Sequence, residues 1–163
     1  MNFYVDIQKY ILSNMKDFKY VKIGNKYIYV SSHTCFVIPS QYLYLNPKIL
    51  KVENSVTLVN TIKSLYEKQT DRVVDTGLSS KEKYHTVRFF NNGSEIITVN
   101  HKLLLPFNKY VTEFRGKTAR DPLYLYESGV LLGFVMPISY SFNTLVEDFA
   151  TSIVEKRKDE VKN

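Results

Sequence analysis

The sequence predicts an α+β fold in which antiparallel sheets are punctuated by single helices. Two observations carry this expectation. Apolar residues switch along the chain between helical spacing and strand-like runs. Each helix-like segment is also followed by several strand-like pieces bounded by Gly, Asn or Pro. A parallel α/β sheet would instead alternate one strand with one helix.

The first element is a helix over 3–17, because Phe3, Ile7, Tyr10, Ile11 and Met15 recur on one helical face. Tyr20–Ile23, Tyr27–Ser31 and Thr34–Ile38 then form a meander over 20–38, turned at Gly24-Asn25 and stopped by Pro39. Ser40–Glu53 carries Asn46-Pro47 together with Tyr42 and Tyr44, and reads as an ordered, partly buried crossing. A second helix spans 55–68, capped by Asn54 or Ser55, with Val56, Val59, Ile62, Leu65 and Tyr66 facing inward.

Strands and one short helix fill 72–138. Arg72–Val74 is a strand, Thr76–Lys83 a polar loop, and Tyr84–Phe90 pairs with Glu95–Val99 through Asn91-Asn92-Gly93-Ser94. Asn100–Tyr110 holds the short helix, limited by Pro106, and Val111–Phe114, Leu123–Tyr126 and Val130–Val135 are strands. Phe142, Leu145, Phe149 and Ile153 predict a C-terminal amphipathic helix over 142–158, acidic early and basic late. The order is a helix followed by about three strands, three times over, within a single domain of 1–163.

Composition narrows the classes. Hydrophobic residues at 44% and charged residues at 23% predict a real core rather than disorder. Apolar runs such as Val130–Met136 fall well short of the ~20 residues of a membrane-spanning helix, and the first residues lack a secretory leader pattern, so a cytoplasmic protein is expected. The lone Cys35, set among Phe36, Val37 and Ile38, reads as a buried thiol. The lysine-weighted net charge of +6 favours an acidic partner, and abundant Tyr, Asn and Ile suggest an AT-rich genome such as that of a low-GC bacterium or its phage.

Catalytic patterns are not evident. His33, His85 and His101 are scattered without metal-site spacing, so no metal is expected, and the six glycines are dispersed without a phosphate-cradling loop, so no nucleotide or other cofactor is expected. Ser31-Ser32-His33 suggests a nucleophile and base but lacks the glycine-rich surroundings of an oxyanion hole, and reads as a polar turn. Asp71, Asp75, Glu82 and Glu95 sit in polar stretches that would not tune an acid. Two basic and aromatic stretches suit nucleic acid: Lys16, Lys19, Lys22 and Lys26 with Tyr20, Tyr27 and Tyr29, and Lys109, Arg115, Lys117 and Arg120 with Tyr110 and Phe114. Their alternative is a lysine-guarded sheet edge and a basic loop over core aromatics, preferred for the first stretch.

Ile97-Thr98-Val99-Asn100, Lys102-Leu103-Leu104-Leu105, Val111–Arg115, Asp121-Pro122-Leu123-Tyr124-Leu125 and Gly133-Phe134-Val135-Met136-Pro137-Ile138 follow one another in a distinctive order. Over 96–138 this order resembles the final repeat of bacterial sliding clamps, the processivity factors of DNA polymerase. The resemblance implies helices lining one face of a curved sheet toward DNA. It also implies an apolar peptide cleft bordered by Met136, Pro137 and Ile138. Clamp subunits are more than twice this length, so ring closure is not implied.

The leading expectation is a non-enzymatic binding protein of a phage or mobile element, acting on DNA or a DNA-processing protein complex. Lys109, Arg115, Lys117 and Arg120 would meet phosphate or acidic side chains, and Met136, Pro137 and Ile138 a partner peptide. An alternative is an inhibitor of a host defence nuclease, of anti-CRISPR type, with that nuclease or a replication protein as partner. A third is an enzyme with an unrecognised site.

Overall fold

The computed structural model describes residues 2–53, 55–68, 70–138, 141, 142 and 144. It is α+β, with ten strands in one mixed sheet and few helices. The order along the chain is α1 (Asn2–Ser13), β1 (Lys19–Ile23), β2 (Lys26–Val30), β3 (Thr34–Pro39), β4 (Lys51–Val52), α2 (Val56–Glu67), β5 (Asp71–Lys81), β6 (Thr86–Asn91), β7 (Ile96–Asn100), α3 (His101–Leu104), β8 (Glu113–Gly116), β9 (Leu123–Glu127) and β10 (Val130–Val135). Across the sheet the strands run β4-β1-β2-β3-β10-β9-β8-β5-β6-β7. Each helix is thus followed by an antiparallel meander, and the third meander lies between the first two.

Period-two alternation divides the core into two layers. Tyr29, Phe36, Ile38, Leu123, Leu125 and Val135 point to one face, where Phe3, Ile7 and Ile11 of α1 and Leu104 and Phe107 in and after α3 cover them. Ile28, Val30, Cys35, Val37, Tyr124 and Phe134 point to the other, under Ile62 and Leu65 of α2. The helices therefore lie on both faces and do not line a single one. Ser55 caps α2 by accepting a hydrogen bond from the Leu58 amide (3.3 Å), and the Tyr124 hydroxyl donates to the Leu65 carbonyl (2.5 Å) at its far end.

Several boundaries differ from the sequence expectation. The first helix ends at Ser13, and Met15–Asp17 forms a separate 3-10 turn. The supposed loop Thr76–Lys83 is largely strand, since β5 continues to Lys81 and pairs Ser79–Lys81 with Thr86–Arg88. Its residues are mostly exposed there, so no apolar alternation marks it. Inside the 40–53 crossing, Lys51 and Val52 add a short parallel strand beside Lys19 and Tyr20. The expected terminal helix over 142–158 falls almost wholly outside the described residues.

The sheet is strongly curled. Gly116 on β8 lies against Ile97 on β7, although β5 and β6 separate those strands. The Ile138 amide donates to the Thr98 carbonyl (2.8 Å), joining β7 to the chain that leaves β10. Phe90, Ile97 and Val99 are thereby carried over the α1 face and complete its core.

Candidate functional site

A pair of arginines on β5 and β8 forms the centre of the candidate site. The antiparallel register of these strands sets Arg72 directly opposite Arg115, with Val73 opposite Phe114. Phe114 packs into the core, so Glu113 and Arg115 project to the other face of the sheet. There Glu113 accepts from both guanidinium groups: Arg115 Nε donates to Oε2 (2.5 Å), and Arg72 Nη2 pairs with Oε1. The Arg115 guanidinium also stacks 4.8 Å above the Tyr126 ring. The Arg115 hydrogen bond, then that of Arg72, holds the Glu113 carboxyl below the usual glutamate range. Arg72 remains outward, with 75% of its side chain exposed.

Three of the four expected basic residues share this end of the sheet. Arg115 is on β8, Lys117 follows it, and Arg120 lies in the next turn, where its amide donates to Thr118 Oγ1 (3.2 Å). Lys117 is held from the side by Asn92, whose side-chain amide donates to the Lys117 carbonyl. Lys109 is not part of this group. It precedes the other end of β8, beside Tyr110, which packs on Phe3 and donates to Asp6 of α1. Arg72 was not among the expected residues; only its cross-strand register reveals it. Lys68 and Asp121 neutralise each other nearby (2.8 Å), and Glu113 offsets part of the charge of Arg72 and Arg115, so the patch is modestly positive.

The residues expected to border an apolar cleft are packed instead. Met136 is 1% exposed and belongs to the layer under α2, Pro137 is buried, and Ile138 is half-buried with its amide engaged by Thr98. The apolar layer recruits Met136 because β10 emerges beneath Phe142, whose ring meets Phe134 at 6.2 Å. An open apolar groove of 260 Å³ occurs elsewhere, between Val5, Lys9 and Leu12 of α1 and Tyr44-Leu45.

The first basic stretch is also divided. Tyr29 is fully buried, and Tyr20 and Tyr27 are half-buried against the same core, which leaves them poorly placed as stacking platforms. Asp75 is paired with Arg88, so it is no free acid. Among the described residues no group of three or more His, Cys, Asp or Glu could hold a metal ion, and no helix is long and apolar enough to cross a membrane. Ser31, Ser32 and His33 line an open cavity of 440 Å³ with Tyr10, Lys16, Asp17, Phe18, Thr34 and Leu103.

The chain matches no protein family, no curated protein and no solved structure.

Proposed function

We propose that this is a non-catalytic binding protein that engages the phosphate backbone of DNA through Arg72, Arg115, Lys117 and Arg120. The observation that carries the reading is the cross-strand placement of Arg72 opposite Arg115, with Glu113 orienting both. A carboxylate between two guanidinium groups fixes their direction while leaving donors on each for phosphate oxygens. With α2 on the opposite face from α1 and α3, no one-sided helical lining is offered to DNA. Contact is therefore assigned to the β5–β8 surface rather than to a helical face. Phosphate contacts alone position a protein without reading sequence, so binding is expected to be sequence-independent.

Anisotropy of a labelled short duplex, followed across a salt series, tests this. About four phosphate contacts, partly offset by neighbouring carboxylates, predict a log-log slope of about −2 to −4. The folded double variant Arg72→Glu, Lys117→Glu should lose binding, while Lys109→Glu should retain it. Absence of binding at low salt, or equal affinity of the double variant, overturns the reading.

A further inference from the structure

A second site is built around the β2–β3 turn, away from the β5–β8 patch. We propose that the cavity there binds a nucleoside phosphate, taken as a free mononucleotide or as the phosphorylated end of a strand. Its 440 Å³ falls within the range of about 300–1,000 Å³ typical of small-ligand pockets.

The wall divides by chemistry. Lys16, from the 3-10 turn after α1, and His33, from the β2–β3 turn, bring cationic and donor groups to one cavity although they are distant in sequence. Between them lie Ser31 and Ser32. Ser31 Oγ accepts the Thr34 amide (3.2 Å), which fixes the shape of the turn. Two of the turn's carbonyls are occupied: Ser32 accepts from the Phe142 amide (3.1 Å), and His33 from the Met136 amide (2.8 Å). The amides of Ser32 and His33 make no hydrogen bond among the described residues. Beside Lys16 the turn offers the Ser32 hydroxyl and these two amides, groups able to donate to a phosphate.

The remainder of the wall distinguishes a nucleoside phosphate from a bare anion. Tyr10, Phe18 and Leu103 supply an apolar, largely aromatic side against which a base can lie. Asp17 disfavours a free anion but can accept from a sugar hydroxyl or a base amino group. A smaller cavity of 190 Å³ shares Lys16, Asp17, Ser31 and Ser32 and continues past the turn to Lys19, which Glu53 neutralises (3.4 Å), so the phosphate is assigned to the Lys16 side of the turn.

The test is an amide-resolved NMR titration of the full chain with adenosine 5′-monophosphate, adenosine, inorganic phosphate, and a short single strand with or without a 5′-phosphate. Adenosine monophosphate should give saturable shifts at Lys16, Ser32 and His33, with adenosine and phosphate each about tenfold weaker. Lys16→Ala and His33→Ala, both at exposed positions, should each weaken binding about tenfold, whereas Lys117→Glu should not. Equal binding of the phosphorylated strand assigns a strand end; binding of the mononucleotide alone assigns a free nucleotide. The proposal is overturned if neither ligand gives saturable shifts up to about 10 mM. It is also overturned if the shifts map elsewhere or both alanine variants bind unchanged. Because the β5–β8 patch lies apart from this cavity, failure of either site leaves the other to be judged by its own variants.

Discussion

Gly116 and Ile97 are in contact across three strand spacings: a Cβ placed on Gly116 would stand 2.3 Å from Ile97 Cδ1. That approach exists because the sheet curls, and it identifies Gly116 as the point where β7 closes over β8. Gly116→Ala is expected to destabilise the protein by about 1–3 kcal/mol, because the fully buried Ile97 must repack. Ile97→Val should recover part of the loss in the double variant, giving a non-additive cycle in chemical denaturation. Gly133→Ala should cost more. Its Cβ would meet the Cys35 carbonyl oxygen at 2.2 Å, and backbone cannot rotate aside as a side chain can. A fully additive Gly116–Ile97 cycle would mean that the contact does not constrain the fold.

Gln8 anchors the crossing between the first meander and α2. Its side-chain amide donates to the Tyr4 and Tyr42 carbonyls (2.9 Å each), and its oxygen accepts from the Tyr44 and Leu45 amides (2.6 and 2.9 Å). The side chain is buried, so Gln8→Leu leaves these backbone groups without their partner inside the protein. A loss of about 2–4 kcal/mol is expected, from roughly 1–3 kcal/mol per unsatisfied buried group with partial rescue by water. Hydrogen exchange at Tyr44 and Leu45 should accelerate before exchange in β2 and β3. Unchanged protection at those two amides would contradict this role.

Glu113 links the candidate site to pH. Arg115 and Arg72 lower its folded pKa below the unfolded value, so its contribution to stability is present above the ordinary glutamate range. It is lost as pH falls through the lowered value, where the carboxyl takes up a proton. Glu113→Gln should flatten the acid side of the stability profile and leave the neutral side parallel to that of the parent. Denaturant midpoints measured across the acidic range check the sign; a steeper acid limb in the variant would refute it.

Cys35 is fully buried in the layer under α2, and burial pushes its thiol well above the usual cysteine range. The native protein should resist thiol reagents at neutral pH and react fully once unfolded. The labelling rate under native conditions should therefore track opening of the sheet. Rapid labelling without unfolding would place the thiol at the surface.

The meanders were legible because a half-buried strand repeats every two residues and the Gly-Asn and Asn-Gly turns punctuate them. The polar stretch from Thr76 to Lys81 gave no such signal. Its backbone becomes strand through pairing with β6, and its side chains stay largely in solvent. Lys51 and Val52 were equally silent, since a two-residue parallel strand is specified by its neighbour β1.

The candidate sites divide in the same way. Arg115, Lys117 and Arg120 could be named from their spacing, but Arg72 joins them only through the β5–β8 register, and Lys109 is separated because β8 intervenes. Met136, Pro137 and Ile138 carry the composition of an exposed apolar cleft and of a core alike, and only the cover of α2 and Phe142 decides that Met136 is core. Ser31-Ser32-His33 reads as a polar turn until Lys16, Asp17 and Tyr10 are brought beside it. The sequence by itself determined the α+β class and the three helix-and-meander units, because those follow from local periodicity. Tertiary structure alone decided the order of the meanders, the curl of the sheet and the membership of both sites, because these depend on which distant backbones come within hydrogen-bonding reach.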